Sequence, residues 1–344
     1  MLVASLVAVD TGAEAVTSPI DAVITWVDGS DPGHARKRAR LLGEDAHRHA
    51  AADATRFGDC GEVAWCVASL LRFAPWVRRI HIVADAQQPA FMARIAHTAL
   101  AQRVCLVDHQ DLFRGYEQYL PTFSNRSIEA MLHRVPGLAA HFLYLNDDFM
   151  LLQPVAPTDF FRGDSVVLRG RWRDGVARAR WQRWRAALSK LFLGGRPSAR
   201  VARPGQHEAQ QLSARMAGFT TRYFQFPHCP APLRRDTIAA WFAANPSALE
   251  RNISFRMRSA EQFLTVALAN HLEIAADHAV IDNRLHSLRL QPGRQSEAAL
   301  RADLARADAD EALAFLCVQS LDEASEAQRA RVFAFLEARI GPAL

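Results

Sequence analysis

The chain sets two aspartates side by side, Asp147 and Asp148, after Asn146 and at the end of the apolar run "HFLYLNDD". Adjacent carboxylates with an amide oxygen beside them suit a hard divalent cation, which prefers oxygen donors. A single Asp after a strand is often only a turn or cap residue. The doubled acid is less easily explained that way. Just upstream, "LPTFSNRSIEAMLHR" (120 to 134) brings Ser124, Asn125, Ser127 and Glu129 to the start of a helical pattern, where exposed backbone N–H groups attract anions. "FPHCPAPLRRD" (226 to 236) holds His228 between prolines, followed by Arg234 and Arg235. A rigid loop presenting an imidazole suits a general base. "FRMRSAEQF" (255 to 263) adds Arg256, Arg258 and Glu261 at the mouth of another helix, where a surface ion pair is the ordinary reading. Together these are the parts a phosphate-handling site needs: cationic charge, a proton acceptor and orienting polar groups.

Such residues act together only if the fold gathers them. Four short apolar runs occupy the first half: AVITWVD (22 to 28), IHIVAD (80 to 85), VCLVD (104 to 108) and HFLYLNDD (141 to 148). Each ends in Asp. Continuous apolar character suits strands covered on both faces, as in a parallel sheet flanked by helices. Helices are expected over roughly 60 to 73, with Asp59 as N-cap; over 89 to 99; and over 124 to 134, opened by Ser124 and closed before Pro136. The alternation is βαβ, the expected fold α/β with a Rossmann-like, mostly parallel sheet. In such a sheet the strands' carboxyl ends share one edge, and ligands sit in the crevice there.

From about 162 to 222 the chain turns basic. Trp181, Trp184, Leu188, Leu191 and Phe192 fall at helical spacing beside Arg180, Arg183 and Arg185. Such a helix is suited to an anionic surface, though a stripe of this kind more often docks on its own protein. The tail reads as mostly helical, with periodic stretches at 233 to 244, 259 to 272, 296 to 316 and 325 to 340. The expected organisation is an N-terminal extension (1–19), a first part of the catalytic core (20–161), a basic insertion (162–222) and a second, mostly helical part (223–344).

The formal charge of +5 favours anionic ligands. Neither GxGxxG nor GxxxxGK[ST] occurs, which disfavours a dinucleotide fingerprint or a P-loop, and no nucleic-acid motif is present, so no nucleic-acid partner is expected. Five scattered cysteines without a CxxC pair argue against a disulfide scaffold or zinc cluster and for a reducing cytoplasm. No apolar run approaches membrane-spanning length; a peripheral contact at the inner face of the membrane stays open.

"IDAVITWVDGSDP" (20 to 32) resembles the first conserved block of the Stealth family of sugar-1-phosphate transferases. "RFGDCGEV" with "FAPWVRRIHIVADAQQP" (56 to 89) resembles the second, "LPTFSNRSIEAMLHRVPGLAAHFLYLNDDFM" (120 to 150) the third, and "CVQSLDEAS" (317 to 325) more faintly the fourth. The resemblance implies transfer of a hexose-1-phosphate from a nucleotide sugar, a UDP- or GDP-hexose, onto a glycan hydroxyl, with release of a nucleoside monophosphate. A Rossmann-like fold and a divalent cation, Mg2+ first among them, come with it. The matching positions are Glu129 and Asp148, His228, and Arg258 with Glu261. Asp148 or His228 would accept the proton, Glu129 would orient one of them, and Arg258 and Arg235 would neutralise the pyrophosphate. Trp26, Asp28, Asp85 and Gln87 would contact the donor, together with Ser124, Asn125 and Asn146; Asp147 and Asp148 would hold the metal.

The chain departs from the family pattern in places. Ser124-Asn125 reverses the usual order, Ala84-Asp85-Ala86-Gln87 replaces a Thr-Asp-Gly-Gln turn, and Gln319-Ser320 replaces Asn-Asp. The competing chemistry is a metal-dependent glycosyltransferase, which moves the sugar without its phosphate.

Overall fold

The structure is a computed structural model that describes residues 18–43, 58–174 and 205–344. The aromatic and arginine stripe at 180–192 lies outside the described residues.

The first apolar run forms β1 (Ile20–Thr25), the second β2 (Ile80–Ala84), the third β3 (Val104–Asp108) and the fourth β4 (His141–Asn146). β1 pairs in parallel with β2 on one side and β4 on the other, and β2 pairs in parallel with β3. The apolar runs are continuous because both faces are covered. Along β1, Ala22 and Ile24 join a core that includes Leu145, Ile82 and the helix Glu62–Phe73, whereas Val23 joins a second core with Tyr144, Met131 and Phe242. Successive side chains point to opposite faces, so one strand feeds two cores. Ile24 is wholly buried, and truncating it to Ala would cost about 2–5 kcal/mol.

After β4 the chain turns through Asp147 and Asp148 and leaves the central sheet as β5 (Phe149–Leu151). A hairpin of β6 (Phe161–Arg162) and β7 (Ser165–Leu168) follows, with Val166, Val167 and Leu168 buried, so the segment expected as a basic insertion begins in the core. β8 (Arg171–Asp174) pairs antiparallel with β9 (Arg222–Gln225), so the chain leaves and returns at one place. β10 (Ala231–Arg234) then adds antiparallel to β4 and completes the sheet in the order β10-β4-β1-β2-β3.

The last part is less helical than its periodicity implies. β11 (Ala279–Ile281) pairs with β7, and β12 (His286–Leu290) pairs in parallel with β13 (Leu313–Val318), which also pairs antiparallel with β5. The stretch expected as one helix over 296 to 316 is a helix only over Glu297–Ala309; its end is β13. LAFLCV is buried at every residue, and an apolar run that short has no periodicity to separate strand from helix. The other helix bounds also tighten: Phe91–Ile95 replaces 89 to 99, and Asn125–Met131 with a 3-10 turn replaces 124 to 134. Gly61, not Asp59, caps Glu62–Phe73; Asp59 accepts from the Gly61 N–H instead.

Candidate active site

A cleft of about 380 Å3 opens at the carboxyl edge of β1, β2 and β4 and is closed on its other side by the segment after β13. Asp147 and Asp148 reach it from the β4–β5 turn, which is held in place by the Val318 N–H donating to the Asp148 carbonyl. The Cys317 thiol lies 3.5 Å from Asp148 Oδ2, while Asp148 Oδ1 is buried with no hydrogen-bond partner. Burial pushes both carboxyls above the usual range, and for Asp147 the neighbouring Asp148, Glu62 and Asp59 push further.

Asn146 and Asn125 line the cleft beside them. Tyr144 OH donates to Asn146 Oδ1 at 2.8 Å, and Asn125 Nδ2 reaches Glu129 Oε1 at 3.3 Å, so Glu129 is joined to the end of β4 by a polar chain. Burial lifts the Glu129 carboxyl to about 7, and the Arg258 guanidinium, which lines the cleft, opposes the rise. Trp26 and Asp85 also line it, and Asp85 is bonded to Lys37 at 2.8 Å.

Other expected site residues lie elsewhere. Arg235 is not at the cleft: β10 runs antiparallel to β4, with Arg234 opposite His141, so Arg235 sits at the opposite edge and donates to the Leu138 carbonyl. Glu261 forms an exposed ion pair with Arg251. Ser124 is wholly buried and donates to Gln262 Oε1, tying the helix to the chain below it without capping it. Asp28 accepts from the Ser30 N–H and hydroxyl, and Gln87 holds the Asp28 backbone through both its amide atoms. Asp108 takes the capping role, accepting from the Gln110 N–H. His228 lies edge-on to Phe149 with Nε2 3.5 Å from an Arg289 Nη1, outside the cleft lining; burial and that guanidinium lower its pKa to about 4. A nitrogen facing a cation is a poor proton acceptor.

The cleft also holds residues that sequence reasoning passed over. Glu62, buried at the start of its helix, is raised to about 7 by burial, with Asp59 and Asp148 adding to the rise. His34 and His109 line the wall beside Asp85, and Arg294 and Asp322 line the far side. Glu62 follows "DCG" within a quoted block, and Asp322 lies two positions beyond Gln319-Ser320. Proximity to recognised motifs was the available signal. Two non-glycine residues with left-handed backbones stand at this edge, Ala86 (φ 53°) and Ser320 (φ 58°). Such strain concentrates where a site fixes its loops.

These features define an α/β protein whose carboxylate-rich cleft lies in the crevice outside the strand ends of a parallel sheet. Residues 18–46 match the model for Stealth protein CR1, conserved region 1, and residues 56–168 match that for Stealth protein CR2, conserved region 2. The receptor polysaccharide phosphotransferase WefC of Streptococcus oralis is 30% identical over 275 residues, which cover 77% of this chain and 80% of that protein. An exopolysaccharide phosphotransferase of Streptomyces coelicolor is 44% identical over 149 residues, 43% of this chain and 26% of that one. A capsular polysaccharide phosphotransferase of Actinobacillus pleuropneumoniae is 36% identical over 150 residues, 43% of this chain and 40% of that protein. The match thus spans about a quarter of the Streptomyces coelicolor relative. The chain belongs to the Stealth family. Among solved structures, an active-site mutant of LgtC is similar at a TM-score of 0.42 and 11% identity, covering 92% of this chain and 95% of that one, a likeness too remote to bear on the chemistry.

Proposed function

We propose that this chain transfers a hexose-1-phosphate from a nucleotide sugar to a hydroxyl of a glycan acceptor, forming a phosphodiester in a cell-surface polysaccharide. The observation that carries this reading is the lining of one cleft at the strand ends by Asp147, Asp148 and Arg258, with the buried Glu129 carboxyl close enough to Arg258 to feel its charge. The names of its relatives agree with it.

The acceptor hydroxyl attacks the phosphorus that bears the sugar, its proton passes to Asp148, and the nucleoside monophosphate leaves with the electrons of the broken P–O bond. The anomeric C–O bond stays intact. Arg258 meets the developing negative charge, and Asn125 and Asn146 offer amide groups to orient the sugar. Positioning and charge neutralisation supply most of the rate in phosphoryl transfer, and a placed base adds on the order of 10² to 10⁴ fold.

A divalent cation, Mg2+ in the first instance, fits the residues present. Asp148 Oδ1 is a buried oxygen without a partner, and Asp147 lies beside it. Among the described residues no group of three or more His, Cys, Asp or Glu is arranged to hold a metal. Mg2+ characteristically takes one or two carboxylates and completes its shell with water and substrate phosphate. When bound, it would supply charge neutralisation on the pyrophosphate.

The deciding experiment labels the sugar-proximal phosphate of the donor. Label in the glycan product is the expected result; label in released nucleoside diphosphate would instead mark glycosyl transfer. Among the described residues no helix is long and apolar enough to cross a membrane.

A further inference from the structure

Tyr144 is buried in β4, two residues before Asn146, and its hydroxyl meets four polar groups. The Thr25 hydroxyl lies 3.1 Å away, Asn125 Nδ2 3.2 Å, Asn146 Oδ1 2.8 Å and Glu129 Oε1 3.5 Å. A phenol has one proton to give. It goes to the nearest acceptor, the Asn146 oxygen, so the phenol oxygen receives the Thr25 hydroxyl and one Asn125 N–H. The other Asn125 N–H goes to Glu129 Oε1 at 3.3 Å. Asn125 Nδ2 also stands 3.5 Å from Asn146 Oδ1. The Asn146 oxygen is therefore held by donors from β4 and from the helix Asn125–Met131, and Asn146 lines the cleft.

We infer that Tyr144 is a positioning residue that fixes the Asn146 amide with its N–H groups toward the cleft, where they donate to an anionic oxygen of the sugar phosphate. The inference rests on the phosphotransfer reading above and deepens it. An amide oxygen has two lone pairs, and here Tyr144 and Asn125 address both. Asn146 therefore does not join Asp147 and Asp148 as an oxygen ligand of a cation, although it stands beside them in the chain. Turning the amide over would set its Nδ2 against the Asn125 Nδ2 and break the 2.8 Å bond from Tyr144. The wrong orientation is thus disfavoured by two neighbours. In a cleft rich in carboxylates, a nitrogen donor held in this way gives a phosphate oxygen a partner that does not repel it.

The test uses the full chain with magnesium pyrophosphate as the probe, since every UDP- or GDP-sugar carries that unit. In asparagine-labelled protein followed by NMR, the Asn146 side-chain amide signals are identified by their absence in Asn146→Ala. They are expected to shift as the probe binds. Tyr144→Phe is expected to weaken binding about fivefold and Asn146→Ala about tenfold, the sizes of a neutral and a charge-assisted hydrogen bond. Because Tyr144 acts through Asn146, Tyr144→Phe costs nothing further in the Asn146→Ala background, whereas a loosening of the fold would add its own loss. Losses that multiply in the double variant, an unmoved Asn146 signal, undiminished binding in Tyr144→Phe, or no binding to the wild type overturns the inference. In turnover, Tyr144→Phe raises donor KM about fivefold and leaves acceptor KM as in the wild type. If labelled donor phosphate appears in nucleoside diphosphate while the amide shift and the non-additive losses persist, the reaction assignment fails and the amide assignment stands. If the label enters the glycan while either is missing, the amide assignment fails by itself.

Discussion

Cys317 Sγ lies 3.5 Å from Asp148 Oδ2, although the two residues are 169 positions apart in the chain. The contact joins β13 to the β4–β5 turn, so the last sheet of the protein sets the position of a carboxylate delivered by the first. It also makes one oxygen of Asp148 a held oxygen and leaves the other buried without a hydrogen-bond partner.

Asp148→Asn keeps the shape of the turn and removes the proposed proton acceptor. The expected loss in nucleoside-monophosphate release is at least about 100-fold, with an unchanged circular dichroism spectrum. His228→Ala is expected to cost less than about tenfold, because its ring nitrogen faces Arg289. An equal loss in the two variants would return the base to the imidazole.

Arg258 holds down the carboxyl pKa of Glu129. In Arg258→Gln the Glu129 carboxyl therefore titrates above about 7, and NMR of a side-chain-labelled protein reads this directly. Donor KM rises in the same variant. An unmoved titration would mean that the guanidinium does not reach Glu129 in solution.

Burial raises Glu129 from 4.5 to about 7, so the folded protein binds a proton there that the unfolded chain releases between those values. The associated stability is fully present below about pH 4.5 and is lost as pH rises through about 7, with an upper bound of about 3 kcal/mol. Glu129→Gln removes this dependence. Its melting temperature relative to wild type should climb between about pH 4.5 and 7 and then level off; parallel curves would refute the burial argument.

Chelation tests the cation. EDTA is expected to suppress turnover and Mg2+ to restore it. Mn2+, followed by its paramagnetic resonance, should bind more tightly in the presence of a nucleotide sugar, because phosphate oxygens complete a shell begun by two carboxylates. Asp147→Asn should weaken that binding; binding indifferent to both the nucleotide sugar and Asp147 would move the metal elsewhere.

Asp21 tests the scaffold away from the cleft. Its buried carboxylate accepts from Arg78, from the backbone N–H groups of Arg79 and Ala139, and lies 3.4 Å from His81; these partners hold its pKa well below the usual range despite burial. Stability from this group is present above the ordinary carboxylate pKa and is lost as pH falls below it. Asp21→Asn is expected to destabilise by about 3–5 kcal/mol in denaturant unfolding at neutral pH. A change under about 1 kcal/mol would show that solvent screens the network.

Much of the site could be read along the chain because it depends on local order. The four strands, their parallel alternation with helices and the acids at their carboxyl ends follow from short apolar runs that stop at Asp, and the family resemblance points to Glu129, Asp148, His228, Arg258 and Glu261, of which Asp148 and Arg258 line the cleft. What failed depended on direction and partner. Arg235 lies at the wrong edge only because β10 runs antiparallel to β4, and no local pattern fixes a strand's direction. β13 read as helix because an evenly apolar hexapeptide has no periodicity, and only its burial between β12 and β5 makes it a strand.

The amino-acid order alone determined which side chains carry charge and where the backbone stops being apolar, since both are properties of neighbours in sequence. The tertiary structure decided which of those charges face each other. It put Cys317 against Asp148, gave Arg258 to Glu129 and left Glu261 to Arg251, because such encounters depend on how separate elements pack and on how much water the packing removes.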